Sequence, residues 1–541
     1  MSETFARAEL FVVLLAAMLG LTALARRLLV PYPILLVLGG LAIAFIPGMP
    51  EVALQPDLVF VVFLPPILWS AAYFTSLRDF KRNLRAIGAL AIGLVLLTTL
   101  VIGWVAHTII PGISWAAALC LGAIVSPPDA VAATAVMSRI GVPRRVITVL
   151  EGESLVNDAS ALVLYRAAVV ALVSGTFSLG ATVADFVVVA VVGVLVGFAA
   201  GWATRWAIRH MPEGYGQIAL TLLGPYVAWI AAERLHASAV LACVTGGLYV
   251  RQHFSAEVAP IVRLEARSVW ELVIFLLNGV IFILIGLQLG PLRRSLAASS
   301  TGQVLRWGVI ITLAAIAVRL LWMPIGARLV RLGRRYRERN PLPPARYIFI
   351  VGWTGMRGIV SLATALALPL TVAGGVPMPH RSELILITFV VILGTLVAQG
   401  LTLTPLARLL GLSNEDDSFE KEQRLAREQA ARAAIARVDQ VAQEDWVPPS
   451  IATQVRAHYE HRLQRFHPDA ALDPECSVEQ ADAQRRLRQE ALTAERRALI
   501  ALRNNGEISD DVMHHIEREL DIEAMRQGLG HLTLGAPAAP A

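Results

Sequence analysis

Thirteen stretches of the chain are apolar for roughly the 17–25 residues that a helix needs to cross the hydrocarbon core of a bilayer. They lie at about 10–25, 31–47, 57–74, 86–110, 114–138, 147–173, 181–206, 215–233, 237–250, 268–289, 304–325, 346–372 and 383–408; the ninth is short and contains Gly246-Gly247. In hydrocarbon each backbone N–H and C=O must find a partner inside its own segment, so runs of this length fold as helices. Composition agrees: 56% of the residues are hydrophobic and only 16% charged, against about 25% charged in soluble domains. A single water-soluble enzyme is excluded.

Charge divides the chain in two. Residues 412–541 hold 16 Arg/Lys and 24 Asp/Glu, a net of −8, whereas the first 411 carry a net of +14. Alternate loops between the apolar runs hold 21 basic residues, among them Arg26, Arg82, Arg145, Arg263 and Arg335, while the other set holds five: Arg7, Arg234, Arg293, Arg294 and Arg381. Basic loops stay in the cytoplasm. The split therefore fits thirteen spans with the N-terminus outside and the tail in the cytoplasm. Glu3, Arg7 and Glu9 precede the first run and Arg26-Arg27 follow it. That is the reverse of a cleaved signal peptide's basic leader, so this run is expected to remain as a helix.

The tail is expected to be soluble and largely helical. Glu420 to Glu444 is rich in Ala, Arg, Gln and Glu, Pro448-Pro449 breaks the pattern, and helical stretches follow near 476–504 and 508–528. Residues 535–541 are small and Pro-rich, a composition that does not fold alone. The three cysteines, Cys120, Cys243 and Cys476, form no CxxC pair, and neither a disulfide framework nor a zinc site is implied. No phosphate-binding loop or hydrolase motif occurs, and no cofactor is called for. The basic residues border apolar runs without an aromatic-studded patch, which argues against nucleic-acid binding. Lys81 and Lys421 are the only lysines; this Arg-dominated usage fits a GC-rich genome and a bacterial inner membrane.

An ionisable side chain in mid-membrane costs about 2.5–3.5 kcal/mol on insertion scales and by default marks an ion path. Asp129 lies within Ser126-Pro127-Pro128-Asp129-Ala130-Val131-Ala132, and Glu153 and Asp158 within Glu151-Gly152-Glu153-Ser154-Leu155-Val156-Asn157-Asp158; Arg319 and Arg357 also sit inside apolar runs. On a helix Glu153 and Asn157 are i,i+4, as are Ser154 and Asp158, so two adjacent oxygen-bearing rows are expected on one side. Oxygen ligands suit a hard cation. Two carboxylates facing each other in a low dielectric do not both stay ionised without a cation or a proton. Asp129, beside its proline pair, is also placed to cap a helix restart. Glu151, Asp185, Glu233 and Glu271 lie nearer span ends and are expected at the interface, and Arg166 either neutralises a carboxylate or snorkels outward.

The breaks carry as much information. Pro127-Pro128 interrupts the fifth run, and Gly352, Gly355 and Gly358 loosen the twelfth. Interrupted segments at corresponding places in two halves point to an inverted-repeat transporter with its ion near the midplane. Spans 4–6 and 11–13 would be those counterparts, with Asp129 and Arg357 complementing the half-helix ends.

Leu64-Pro65-Pro66-Ile67-Leu68, the Ser126–Ala132 run, Gly152-Glu153-Ser154-Leu155-Val156-Asn157-Asp158 and Met356-Arg357-Gly358 together resemble the sodium/proton exchanger family, cation:proton antiporter family 1, over about residues 8–411. The resemblance implies a thirteen-helix inverted-repeat homodimer with a rigid part and a moving, ion-carrying part. It implies that Asp158 carries cation and proton in turn, that Asn157, Ser154 and Asp129 line the cation site, and that Glu153 pairs with Arg319. Arg357 matches the arginine of the broken twelfth helix. The Asn-Asp form goes with electroneutral exchange in the family. Two departures stand out: Trp69-Ser70 where many members carry an acidic residue, and Pro128 where many have Thr.

The expectation is therefore an all-α integral membrane protein of about thirteen transmembrane helices, with inverted repeats and two broken crossing helices. Residues 1–411 would form the antiporter domain and residues 412–541 a cytoplasmic helical domain. Its activity would be exchange of a monovalent cation, Na⁺ first and Li⁺ or K⁺ next, for H⁺, serving pH and cation homeostasis from the plasma membrane. The alternatives are a K⁺/H⁺ antiporter, a passive cation channel and, more remotely, an intramembrane aspartyl hydrolase using Asp129 and Asp158 as a dyad.

Overall fold

In the computed structural model of the chain, residues 3–28, 30–46, 55–129, 131, 133–134, 137, 144–175, 179–212, 214–290, 301–332, 337–338, 341–372, 375–412, 417–444 and 446–464 are described, with isolated positions beyond. These residues are helical nearly throughout. Among them there is no β-strand, only an isolated bridge between Thr371 and Pro377. By contact the chain divides into two units, Met1–Asp416 and Asp417–Ala541.

The first unit runs α1 (Glu3–Leu28), α2 (Tyr32–Ala44), α3 (Pro56–Phe74), α4 (Leu77–Ile109), α5 (Trp115–Val125), α6 (Arg144–Ser174), α7 (Leu179–His210), α8 (Tyr215–Arg234), α9 (Ala239–Glu257), α10 (Pro260–Leu287), α11 (Thr301–Leu329), α12 (Ala345–Trp353), α13 (Ile359–Leu366) and α14 (Arg381–Leu409). Short π-helical turns interrupt α3 at Val59–Phe63 and α4 at Ala89–Leu94.

Each expected apolar stretch contains a helix. Among the described residues nine helices are long and apolar enough to cross a bilayer: α1, α3, α4, α6, α7, α8, α10, α11 and α14. The other stretches are α2, only 13 residues long, α9, whose last turns carry Arg251 and Glu257, and the two broken ones. The run expected at 114–138 stops as α5 at Val125, where Pro127-Pro128 removes two backbone donors and forbids continuation; Val131, Ala133, Thr134 and Met137 are helical again. The run expected at 346–372 splits into α12 and α13 around non-helical Thr354–Gly358. A long helix, a broken one and a long helix thus recur twice along the chain: α4, α5 and α6, then α11, α12/α13 and α14.

Burial sorts these helices into two groups. Apolar residues of α4–α6 and α11–α14 form one cluster with α1, α2, the start of α3 and the far end of α10. Those of α3, α7–α9 and the first half of α10 form another. In the second, α7 lies close on α9 because Gly193, Gly197 and Gly201, one turn apart, face Ser238, Ala242 and Gly246. A Cβ at Gly193 would stand 2.7 Å from the Ser238 carbonyl oxygen, and such small-residue stripes let membrane helices approach. On its other side α7 exposes Val183, Val187, Val191, Leu195 and Phe198, an apolar face suited to lipid.

In the second unit, α15 (Asp417–Val441) and α16 (Pro449–Gln464) pack together. The break between them falls at Pro448-Pro449, and Arg456 bridges to Asp439 at 3.1 Å. The helical stretches expected near 476–504 and 508–528, and the Pro-rich end, lie almost wholly outside the described residues.

Candidate ion site where two broken helices cross

The non-helical stretches Ser126–Asp129 and Thr354–Gly358 meet each other. The Asp129 N–H donates to the Met356 carbonyl at 2.7 Å. Arg357, 2% exposed, donates from Nε to the Val125 carbonyl at 3.0 Å and from Nη1 to the Gly355 carbonyl. Val125 ends α5, so a guanidinium sits where a helix C-terminus leaves unpaired carbonyls and partial negative charge. The reciprocal arrangement holds at the start of α13: Gly358 caps it, and a Cβ there would lie 2.7 Å from the Asp129 Cγ. Only glycine lets the carboxylate come this close. Asp129 Oδ1 also accepts the Val131 N–H at 2.8 Å, so the residue caps the helix restart as well as facing Gly358. Of its motif, Ala130 and Ala132 lie outside the described residues.

The two oxygen-bearing rows of α6 serve different neighbours. Glu153 and Asn157, 1% and 0% exposed, turn into protein. Arg319 Nη1 and Nη2 meet Glu153 Oε1 and Oε2 at 2.5 and 2.9 Å, and Nη2 also donates to the Val351 carbonyl at 3.2 Å. A two-pronged pair of this kind fixes orientation as well as charge, and through Val351 it serves the last turn of α12. Asn157 Nδ2 donates to the Pro128 carbonyl at 2.9 Å, which ties the unwound stretch to α6; Asn157 Oδ1 has no partner among the described residues. Ser154 and Asp158, by contrast, line a cavity of about 430 Å³ together with Asp129.

That cavity lies between the two helix groups. α3 and α10 supply Ser70, Phe74, Phe275 and Asn278 to its wall, α2 supplies Tyr32, and α6, the first break and α13 face them. Glu151 and Glu271 line it too. The Glu271 side chain, 61% exposed and bridged to Arg267 at 2.8 Å, marks a solvent-facing edge. Apolar walls with a few converging carboxylates and hydroxyls suit a small cation that sheds part of its water.

The remaining charges also find places. Arg166 lies 3.5 Å from Glu233, both about half exposed, so it neutralises a carboxylate at the periphery. Trp69, 1% exposed, fills the space over Gly224 and Gly246, and Ser70 Oγ donates back to the Ile67 carbonyl at 2.9 Å. Trp69 and Ser70 are thus used for packing between α3, α8 and α9. Sequence reasoning missed Thr395, whose hydroxyl accepts the Arg357 N–H at 3.1 Å and donates to Val391 at 2.8 Å. The signal was present: Thr388, Thr395 and Gln399 are all 0% exposed on α14, a polar stripe in an apolar run.

Comparison with known proteins gives this geometry a family. The family described as sodium/hydrogen exchanger, transmembrane, matches residues 13–409. An uncharacterized Na⁺/H⁺ exchanger of Mycobacterium tuberculosis is 33% identical over 525 residues, covering 95% of each chain, a span that takes in most of the acidic tail. A sodium, potassium, lithium and rubidium/H⁺ antiporter of Bacillus pumilus is 33% identical over 403 residues, 72% of this chain and 60% of that one. The solved sodium proton antiporter MjNhaP1 of Methanocaldococcus jannaschii superposes with a TM-score of 0.60 at 21% identity, covering 76% of this chain and all of its own; that likeness speaks for the fold. With the matched family spanning most of its length, this multi-pass membrane chain belongs to the sodium/hydrogen exchangers and is a transporter, not an enzyme.

Proposed function

We propose that the chain exchanges a monovalent cation for protons by alternating access, with Asp158 binding the cation and the proton in turn. The observation that carries this reading is the placement of Asp158, Asp129 and Ser154 on one cavity where two broken helices cross. In the cation-bound state Asp158 and Asp129 supply charge and Ser154 a neutral oxygen. When a proton takes the carrier carboxylate in place of the cation, the site keeps the same net charge, with Asp129 still ionised, and the cation leaves. Asn157, Glu153, Arg319 and Arg357 hold the crossing in place and do not themselves carry the ion. The group of α4–α6 and α11–α14 moves against the group of α3 and α7–α9, exposing the cavity to each side in turn.

One cation exchanges for one proton, the ratio that the resemblance implies for a chain with Asn157 before Asp158. The Arg-rich loops place the C-terminal tail in the cytoplasm and the N-terminus outside, in a bacterial inner membrane. The working unit is a homodimer. Na⁺ is the first cation to test; the range named for the Bacillus pumilus relative keeps K⁺ and Li⁺ in the set. The test is a purified preparation in proteoliposomes carrying an inward pH gradient and a pH-sensitive dye, challenged with each cation with and without an imposed voltage. The reading expects Na⁺ or Li⁺ to collapse the gradient at a rate the voltage does not alter. Cation flux without proton movement would overturn it in favour of a channel, and a voltage-dependent rate would overturn the one-for-one ratio.

A further inference from the structure

We infer that Ser361 is a further ligand of the transported cation and helps to set which cation the site prefers. This rests on the proposed exchange at Asp158. Ser361 lies in the first turn of α13, is 1% exposed, and lines the same cavity as Asp129, Ser154 and Asp158. Its Oγ has no hydrogen-bond partner among the described residues.

The reason is local. A buried hydroxyl on a helix ordinarily donates to the carbonyl three or four residues back. Thr364 does so to Val360 at 2.6 Å, Thr388 to Leu384 at 2.9 Å and Thr395 to Val391 at 2.8 Å. Four residues before Ser361 stands Arg357, in the unwound stretch, and no bond forms to Gly358, the helix cap three residues back. The break that opens the site therefore also frees this oxygen. Gly358, one turn earlier on the same helix face, abuts the Asp129 carboxylate, so Ser361 continues that face along the cavity wall. A buried hydroxyl is not left unmatched without cost. A hard oxygen lining the same cavity as two carboxylates is what an alkali cation takes when it loses water.

The cation is then gripped from both sides of the crossing, by α6 through Ser154 and Asp158 and by α13 through Ser361. Two neutral hydroxyls fix the spacing of the donors without adding charge, so replacing one alters affinity and the Na⁺/Li⁺ ratio.

Proteoliposomes holding wild type, Ser361→Ala, Ser361→Cys, Ser361→Thr and Asp158→Asn are titrated with Na⁺ and Li⁺, and yield is checked by gel filtration. The Cys variant is nearly isosteric, so it reports even if the Ala variant accumulates poorly, and a thiol is a poor ligand for a hard cation. Ala and Cys should raise the half-saturating cation concentration about three- to ten-fold, the size of one lost oxygen contact. The Na⁺/Li⁺ preference should change, and Thr should restore affinity. Unchanged half-saturation in both Ala and Cys, with wild type active and Asp158→Asn silent, overturns the role of Ser361 alone. An active Asp158→Asn, or an inactive wild type, overturns the underlying assignment of Asp158 instead.

Discussion

The Glu153–Arg319 pair gives a stability prediction whose size follows from the structure. Both side chains are 1% exposed, and they meet through two contacts at 2.5 and 2.9 Å. Glu153→Leu leaves a buried guanidinium with only the Val351 carbonyl, since its Nε already lacks a partner among the described residues. Arg319→Leu leaves a buried carboxylate and removes the donor to α12. Breaking a buried pair from one side costs about 3–5 kcal/mol, and at about 2 °C per kcal/mol for a large unit each single variant should melt about 6–10 °C below wild type. The double Leu variant removes both charges, and apolar replacement of a whole pair is often near neutral. The Val351 carbonyl keeps the Thr354 hydroxyl at 2.8 Å, so the double variant's remaining loss is one hydrogen bond, about 0.5–1.5 kcal/mol. The assay is a thermal unfolding midpoint for the four proteins in one detergent, read as a double-mutant cycle. The double variant should be more stable than either single one. Single variants within about 1 °C of wild type, or a double variant as unstable as the sum of the singles, would refute the pairing as a structural element.

Further expectations follow from neighbouring contacts. Asn157→Ala frees the Pro128 carbonyl and should cost about 1–3 kcal/mol, seen as a lower melting midpoint together with slower exchange; unchanged exchange would show that the tie to α6 does not matter. Gly358→Ala drives a Cβ into the Asp129 carboxylate and should cut transport sharply at near-normal yield, whereas Gly302→Ala, with nothing within 4 Å, should be silent. At the end of α9, hydrogen bonding from Arg205 holds the Glu257 carboxyl below its ordinary value. A carboxyl shifted down stabilises the fold above its unfolded pKa and loses that contribution as pH falls through the folded one. Glu257→Gln should therefore lower the melting midpoint at pH 7 and erase part of its decline in acid, which a pH series of melts on both proteins reads directly.

Much of the architecture was legible in the chain because the bilayer leaves few options. Length and apolarity gave the helices, Pro127-Pro128 gave one break, and Gly355 and Gly358 gave the other. The i,i+4 spacing correctly put Glu153 with Asn157 and Ser154 with Asp158, but periodicity does not say what each row faces. The structure turns the first row into protein and the second into the cavity. The arginine contacts were legible only in part: the family resemblance implied Arg319 with Glu153 and the broken helices offered Arg357 a half-helix end, but no local pattern named either partner atom. Arg319 meets a carboxylate 166 residues away, and Arg357 a carbonyl 232 residues away. Pairings over such separations are set by how helices pack, not by any local pattern. Ser361 was overlooked because a lone serine in an apolar run ordinarily satisfies itself on its own backbone.

The most direct test of the central claim is a side-by-side exchange measurement on wild type and Asp158→Asn, reconstituted at equal protein density and checked for equal melting midpoints. Asn keeps the size and polarity of the side chain but cannot alternate between a charged and a protonated form. The account predicts cation-driven proton movement in wild type and none in the variant, for every cation that wild type accepts. Exchange by a well-folded Asp158→Asn at a rate comparable to wild type would contradict it and move the carrier role away from Asp158.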